Sequence, residues 1–543
     1  MNPRLQYHQL GLALVAISIV IIIAVNRSRL PATLLYVERP SEEETALTSH
    51  DASGSNEAPI NLAALKLFAG RLDDLLRNHC DRYWEEALDQ NPTLKGLQKL
   101  SSELGKPAVQ RVADAAVQIP YLRYQPFRIS LVDGRLYCHP LVKCHPHNYW
   151  KLSRSPSYPH LVLRRFAEAI DYAISQGIHL PNANLTIQME DCPRMWRTSA
   201  SKNAFNLCAS KDQDLVATRN RTGGFDLEFA SDLPVGGPDG GIPNGLLLST
   251  SSYPAHTWDI PALPYFQYNN DEETWIRTNL TGSADNGMSQ EIWKRMWGGK
   301  REAVFFVGRM TDESRVRLAC EMSVLDPALS DAFYIADGDN PKTPGKNCTG
   351  KALELQRKLG CKASHICRAA EMSSAEWQRQ LLTHKYHLDL VGFGPWSHRL
   401  RLSLLSGAVV FQDQLNFLGS QFYDSPLKRL LLVPFSSARD LQRQVQWFQK
   451  NDAVARQIAW VGHRFAWDCL SREGIRQFLV ALVRRLGQLQ REQNTRRRRR
   501  RPSKANEKVE DIRHCDLSHR IPLTPSTTQD FKKAVHSCET RPE

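Results

Sequence analysis

The sequence predicts an α/β protein: two layers of parallel sheet and helices facing a cleft, behind an N-terminal apolar segment. Three observations predict it. Short apolar strands alternate with amphipathic helices, first around residues 161–252 and again from about Ile292 to Phe411. Such alternation implies parallel strands with helices on their faces. One uncharged run, Leu10 to Val25, stands apart from both layers.

The apolar run "LGLALVAISIVIIIAV" would span about 24 Å as a helix, short of the ~30 Å hydrocarbon core. No small-residue cleavage site follows Val25, so an uncleaved signal anchor is favoured over a signal peptide. Residues 1–25 are read as cytoplasmic tail and anchor, and 26–60 as a flexible stem rich in Ser, Glu, Asp and Ala. The first α/β layer is expected over 61–285. A helix opens it, with Leu65, Ala69, Leu72, Leu76, Cys80 and Tyr83 on one face. A hairpin follows about Asp133-Gly134 in "RISLVDGRLYCHPL". Next come a helix with the stripe Leu163, Phe166, Ile170 and Ile174, ended at Gly177, and the strands "NLTIQME" and "GLLLSTSS".

The second layer is expected over 286–490 after a linker near 280–292. It reads as the strand "AVFFVG", the helix "DESRVRLACEMS", the strand "DAFYIAD" and the helix "SSAEWQRQLLTHK". The strand "YHLDLVG", the helix "SHRLRLSLLSG", the strand "AVVF" and C-terminal helices complete it. Residues 491–543 are expected to be a basic disordered tail. Of the formal net charge of +13, eight basic side chains and one acid in 491–504 supply most. The body is only mildly basic, which argues against a nucleic-acid partner.

The chain has twelve cysteines and sequons at Asn184, Asn220, Asn279 and Asn347, as expected of a luminal, glycosylated body. Cys138 and Cys144, or two of Cys348, Cys361 and Cys367, are near enough in sequence to pair. Cys192, Cys320 and Cys469 are read as free buried thiols.

Ligands of open parallel sheets bind beyond the carboxyl ends of the strands. Two turns there have the composition of an anion site. In "VGFGPWSHR", Gly392 and Gly394 admit a sharp turn, Ser397 can cap the next helix, and Arg399 lies in its first turn. Arginine at a helix N-terminus opposes the dipole unless an anion sits above it. "FFVGRMTDESR" repeats the design with Arg309, Thr311 and Arg315. Two such turns point to a diphosphate. Asp191, where "IQMEDCPR" ends before Pro193, is placed for general-base work, while Glu190 points to the other face. Asp337 and Asp339 in "ADGDN" read as a surface turn, so no metal and no other cofactor is expected.

In this order the motifs resemble glycosyltransferase family 90 over roughly residues 120–470. The resemblance is carried by "HKYHLDLVGFGPWSHRLRLSLLSGAVVF", "RDLQRQVQWFQKNDAVARQIAWVGHRF", "FVGRMTDESR", "IQMEDCPR" and "LSTSSYPAHTWDIPALPYF". It implies a GT-B architecture of two Rossmann-like domains and an inverting, largely metal-independent transfer from a UDP-sugar. It implies Asp191 as the base, with Arg315, Ser397 and Arg399 around the diphosphate. Ser252, Tyr253 and Asp259 are acceptor-side or secondary candidates. The expected activity is transfer of xylose or glucose from a UDP-sugar to a hydroxyl of a protein or polysaccharide. The expected setting is the Golgi or endoplasmic reticulum membrane, single-pass type II, with the bilayer around residues 10–25. The competing expectation is a catalytically inactive glycan-binding homologue on the same fold.

Overall fold

The structure is a computed structural model. It describes residues 80–91, 127–138, 158–187, 246–249, 260–261, 270–282, 288–309, 313–330, 332–336, 374–392, 397–419, 428–500 and 515–516, with isolated helical positions between 63 and 95 and around 354–360. The chain divides into Met1–Ala58, which lies outside the described residues, and Pro59–Glu543, which holds all that follows. The expected anchor therefore lies outside them too. Among the described residues no helix is long and apolar enough to cross a membrane.

The first sheet is mixed. After helix α1 (Asp81–Gln90), strands β1 (Phe127–Val132) and β2 (Arg135–Cys138) form the expected hairpin, with Asp133 and Gly134 both at positive φ. Helix α2 (Tyr158–Ser175) ends at Gly177, where Gly177 N–H donates to Ile174 O and Ile178 N–H to Ala173 O. Strand β3 (Ala183–Ile187) pairs antiparallel with β1 and parallel with β4 (Leu246–Ser249), which pairs parallel with β5 (Ile260–Pro261). Helices α3 (Asn270–Thr281) and α4 (Gln290–Gly298) lead out of this layer.

The second sheet is wholly parallel. Its elements are β6 (Arg301–Arg309), α5 (Glu313–Leu325), β7 (Ala332–Ala336), α6 (Ser374–Thr383), β8 (His384–Asp389), α7 (His398–Leu405), β9 (Val409–Asp413), α8 (Gln414–Leu418), α9 (Lys428–Leu431) and β10 (Leu432–Phe435). The strand order is β10-β9-β8-β6-β7. All six residues of β8 are buried, as befits a central strand covered on both faces. The expected strands and helices of this layer are present. Strand β10 is not among the expected strands, and it contains Pro434. The proline is tolerated here because β10 is the edge. Gly407, at φ +70, turns α7 into β9; a Cβ there would lie 2.2 Å from the Trp293 ring.

Helices α10 (Ala438–Lys450), α11 (Asp452–Asp468) and α12 (Arg472–Arg500) close the chain, with β11 (Cys515–Asp516) beyond. Two expectations are corrected here. First, the opening helix does not run through Cys80, which sits in the left-handed region (φ 63°) immediately before α1. Second, Cys469 is not a free thiol: it is joined to Cys80 with a Cα–Cα separation of 5.6 Å. Cys320 is disulfide-bonded as well.

Helix α12 runs across position 490, where the second layer was expected to end. Helix α12 packs on α1, α2 and β3 of the first layer. Its Phe478 meets the Trp84 ring edge-on at 5.0 Å, and Arg472 donates to the buried Glu168 at 2.8 Å, which Arg165 also binds at 2.6 Å. These arginines hold the Glu168 carboxyl below its usual range, although burial alone would raise it. Residues 491–500 continue α12. Arginine is a good helix former, and no Gly or Pro interrupts α12 after Gly487 until Pro502. Strand β11 adds antiparallel to the edge of the first sheet, with Cys515 opposite Cys138.

Lys300 joins α4 to the second layer. Its buried Nζ donates to Ser406 O (2.8 Å) and His384 O (3.4 Å), and burial lowers its pKa to about 7.

Candidate functional site

In the second sheet the chain passes from β6 to β7 on one side, then returns to place β8 on the other side of β6. The β6/β8 crevice is thus a topological switch point, where ligands of open α/β sheets bind. One arginine from each expected anion motif reaches across it. Arg315, in the first turn of α5, crosses from the β6 side: its Nε donates to Val391 O (2.9 Å) and its Nη2 to Leu390 O (2.8 Å). Arg399, in the first turn of α7, crosses the other way, and its Nη1 donates to Val307 O. Both guanidiniums lie over the Phe306 ring, at 5.4 Å and 5.2 Å.

Local sequence explains this crossing. Ser397 caps α7 as expected, its Oγ accepting from Arg399 N–H at 3.2 Å. Gly308 leaves room for the arginine; a Cβ there would lie 2.7 Å from both Arg399 Nη1 and Phe306 Cζ. Gly392 is in ordinary contact with Arg315, a built Cβ lying 3.6 Å from Nη2. Its backbone is not at positive φ, so neither that contact nor a left-handed turn requires a glycine at 392.

Beneath the arginines lie groups that sequence reasoning missed. Asp389 ends β8 and is 2% exposed. Its Oδ2 accepts from Gln412 Nε2 (2.7 Å) and Asn416 Nδ2 (3.0 Å), and its carboxylate also accepts from the Ser397 hydroxyl. Burial raises its pKa, against these hydrogen bonds and the charges of Arg399 and Arg315. Asp413 ends β9; it accepts from Asn416 N–H (2.9 Å) and from Val391 N–H. The available signal was a charged residue inside the otherwise buried strand "YHLDLVG", which requires partners.

Other expected site residues fall elsewhere. Arg309 ends β6 opposite Ala336, and its side chain lies outside the described residues. Asp191, Ser252, Tyr253, Asp259, Thr311, Asp337, Asp339, Asn220 and Asn347 lie outside them altogether. Asn184 is in β3 opposite Ser130. Asn279 is exposed on α3, its Nδ2 donating to Trp275 O at 2.8 Å.

Residues 253–519 match the model of glycosyl transferase family 90. The chain carries a family 90 glycosyltransferase domain. This domain takes in β5 to β11 and every residue of the β6/β8 crevice, while Asp191 precedes it. No curated protein matches the chain.

Proposed function

We propose that the chain is an inverting glycosyltransferase that moves xylose or glucose from a UDP-sugar to a hydroxyl of a protein or glycan acceptor. The observation that carries this reading is the pair of arginines crossing the switch point of a family 90 domain beside the Ser397 cap. Guanidiniums and a capped helix N-terminus at a crevice suit a nucleotide diphosphate. In this reading the UDP-sugar lies over β6 and β8. The acceptor binds against the first layer with Ser252, Tyr253 and Asp259 near it, in a GT-B arrangement. Asp191 takes the proton from the acceptor hydroxyl, whose oxygen attacks the anomeric carbon from the face opposite UDP. The bond from that carbon to the diphosphate oxygen breaks, and UDP leaves with the electron pair. Arg315 and Arg399 stabilise the charge that develops there. No metal is assigned to the step. The domain works in the lumen of the Golgi or endoplasmic reticulum, held by Leu10–Val25 as a type II anchor, with Asn184, Asn220, Asn279 and Asn347 as glycosylation sites.

The full chain, purified in detergent, is given a panel of UDP-sugars with and without EDTA. One UDP-pentose or UDP-hexose is expected to raise the melting temperature and to be slowly hydrolysed, in EDTA as well. Tight binding of UDP with neither hydrolysis nor transfer supports instead an inactive glycan-binding homologue.

A further inference from the structure

Two cations and two carboxyl groups converge at the β6/β8 crevice. Asp413, on β9, receives Asn416 N–H from α8 and Val391 N–H from the turn after β8. The charged groups acting on it are Asp389 of β8 and Arg315 of α5; Arg399 of α7 faces Asp389 in turn. Asn416, the α8 residue that bonds it, does not titrate. With all four groups ionised their charges cancel. A diphosphate bearing two negative charges would then enter a site with no net attraction for it.

We propose that Asp413 sets the charge of the nucleotide-sugar site by taking up one proton as the diphosphate binds, which leaves the four-group cluster at +1. The inference rests on the reading of the crevice as a nucleotide-sugar site. Asp413 fits the role better than Asp389 does. Asp389 accepts from three side-chain donors, Gln412, Asn416 and Ser397, and is faced by both arginines, all of which oppose the rise that burial causes. Asp413 has two backbone donors, and the Asp389 charge disfavours its ionisation. Its pKa is already raised to about 6, chiefly by burial. A neighbouring anion raises a carboxyl pKa further, so proton uptake and diphosphate binding reinforce each other. Affinity therefore increases as pH falls toward 6. The proton neutralises a charge and takes no part in bond breaking.

The test uses the full chain and UDP-glucose, whose diphosphate is esterified at both ends and does not titrate between pH 5.5 and 8. Calorimetry at pH 7 in two buffers of different ionisation enthalpy counts the protons taken up. Uptake of a substantial fraction of one proton is expected, with about tenfold tighter binding at pH 5.5 than at pH 8. Asp413→Asn should abolish the uptake and bind at pH 8 nearly as tightly as the wild type does at pH 5.5. Asp389→Asn should still take up a proton on binding, but with the pH dependence shifted to lower pH, because the charge that disfavours Asp413 ionisation is gone. Wild-type binding that is flat with pH, or an Asp413→Asn protein that keeps the slope, overturns the assignment while leaving the nucleotide site standing. The buffer comparison on the wild type decides this even if a variant folds poorly. If neither UDP, UDP-glucose nor UDP-xylose binds at any pH, the nucleotide-site reading fails, and the assignment falls with it.

Discussion

At the scale of single residues, the crevice depends on contacts of a few ångströms. Gly308 is the sharpest case. A Cβ there would sit 2.7 Å from Arg399 Nη1 and from Phe306 Cζ, closer than packed atoms approach. Gly308→Ala should displace the arginine and weaken UDP binding about tenfold or more. Titration of folded variant and wild type by calorimetry checks it, and an unchanged Kd would show that Arg399 does not meet the nucleotide. Asp191→Asn should lose ~10²–10⁴-fold in turnover if it removes a general base. Its UDP affinity should hold, because Asp191 belongs to the opposite layer in the proposed arrangement. Single-turnover assays on protein of matched melting temperature decide the point. Lys300 makes a claim on stability rather than catalysis. Burial depresses its folded pKa to about 7 from the usual lysine value of 10.5. Between those values the unfolded chain binds more protons, so this residue makes stability rise with pH. Lys300→Met should flatten that rise between pH 7 and 10, measured as the difference in denaturation midpoints from wild type.

At the scale of elements, the sequence was legible where local pattern and tertiary setting agree. The Asp133-Gly134 hairpin, the α2 stop at Gly177, and the parallel run from β6 to β9 follow from periodicity and turn chemistry. Ser397 was legible as a cap for the same reason. The setting of Arg315 and Arg399 was not. Their residue types point to an anion, but their hydrogen bonds to strand-end carbonyls come from residues 75 to 92 positions away in the chain. Asp389 carried a signal, a charge inside an apolar strand, but its partners Gln412 and Asn416 lie 23 and 27 positions away and only the fold brings them together. The continuation of α12 through Arg500 was obscured by a basic composition usual in disordered tails. The Cys80–Cys469 bridge was equally hidden, its halves lying 389 residues apart. Cys469→Ser should lower stability by about 2–5 kcal/mol, the usual effect of losing a native disulfide. Urea midpoints of variant and wild type, with and without reductant, measure it; a variant matching oxidised wild type would show the bridge to be dispensable.

At the scale of the whole molecule, the last long helix, though it follows the second layer in sequence, packs on the first. Phe478, Leu482 and Leu486 of α12 are buried, with Phe478 against Trp84 of α1, and Arg472 satisfies Glu168 of α2. A chain ended at Leu470 removes that cover and strands the Glu168–Arg165 pair. It should fail to unfold cooperatively, and its first layer should be cut by protease under conditions that spare the full chain. Adding residues 471–543 as a separate peptide should restore protection if packing, rather than chain continuity, is what the layer lacks.

The Cys80–Cys469 bridge also sets a timetable for biosynthesis. At about 5–20 residues per second, a ribosome needs roughly 20–80 s to travel from one cysteine to the other. Throughout that interval Cys80 is a thiol without its partner. The cysteines at positions 138, 144, 192 and 208 all emerge before Cys469 and are available to react with it. Helix α12 is made later still, so the apolar faces of α1 and α2 wait uncovered for the same period. A nascent chain of this design cannot finish its first layer while it is being translated. Any early wrong partner of Cys80 can be exchanged for Cys469 only after most of the chain has been made.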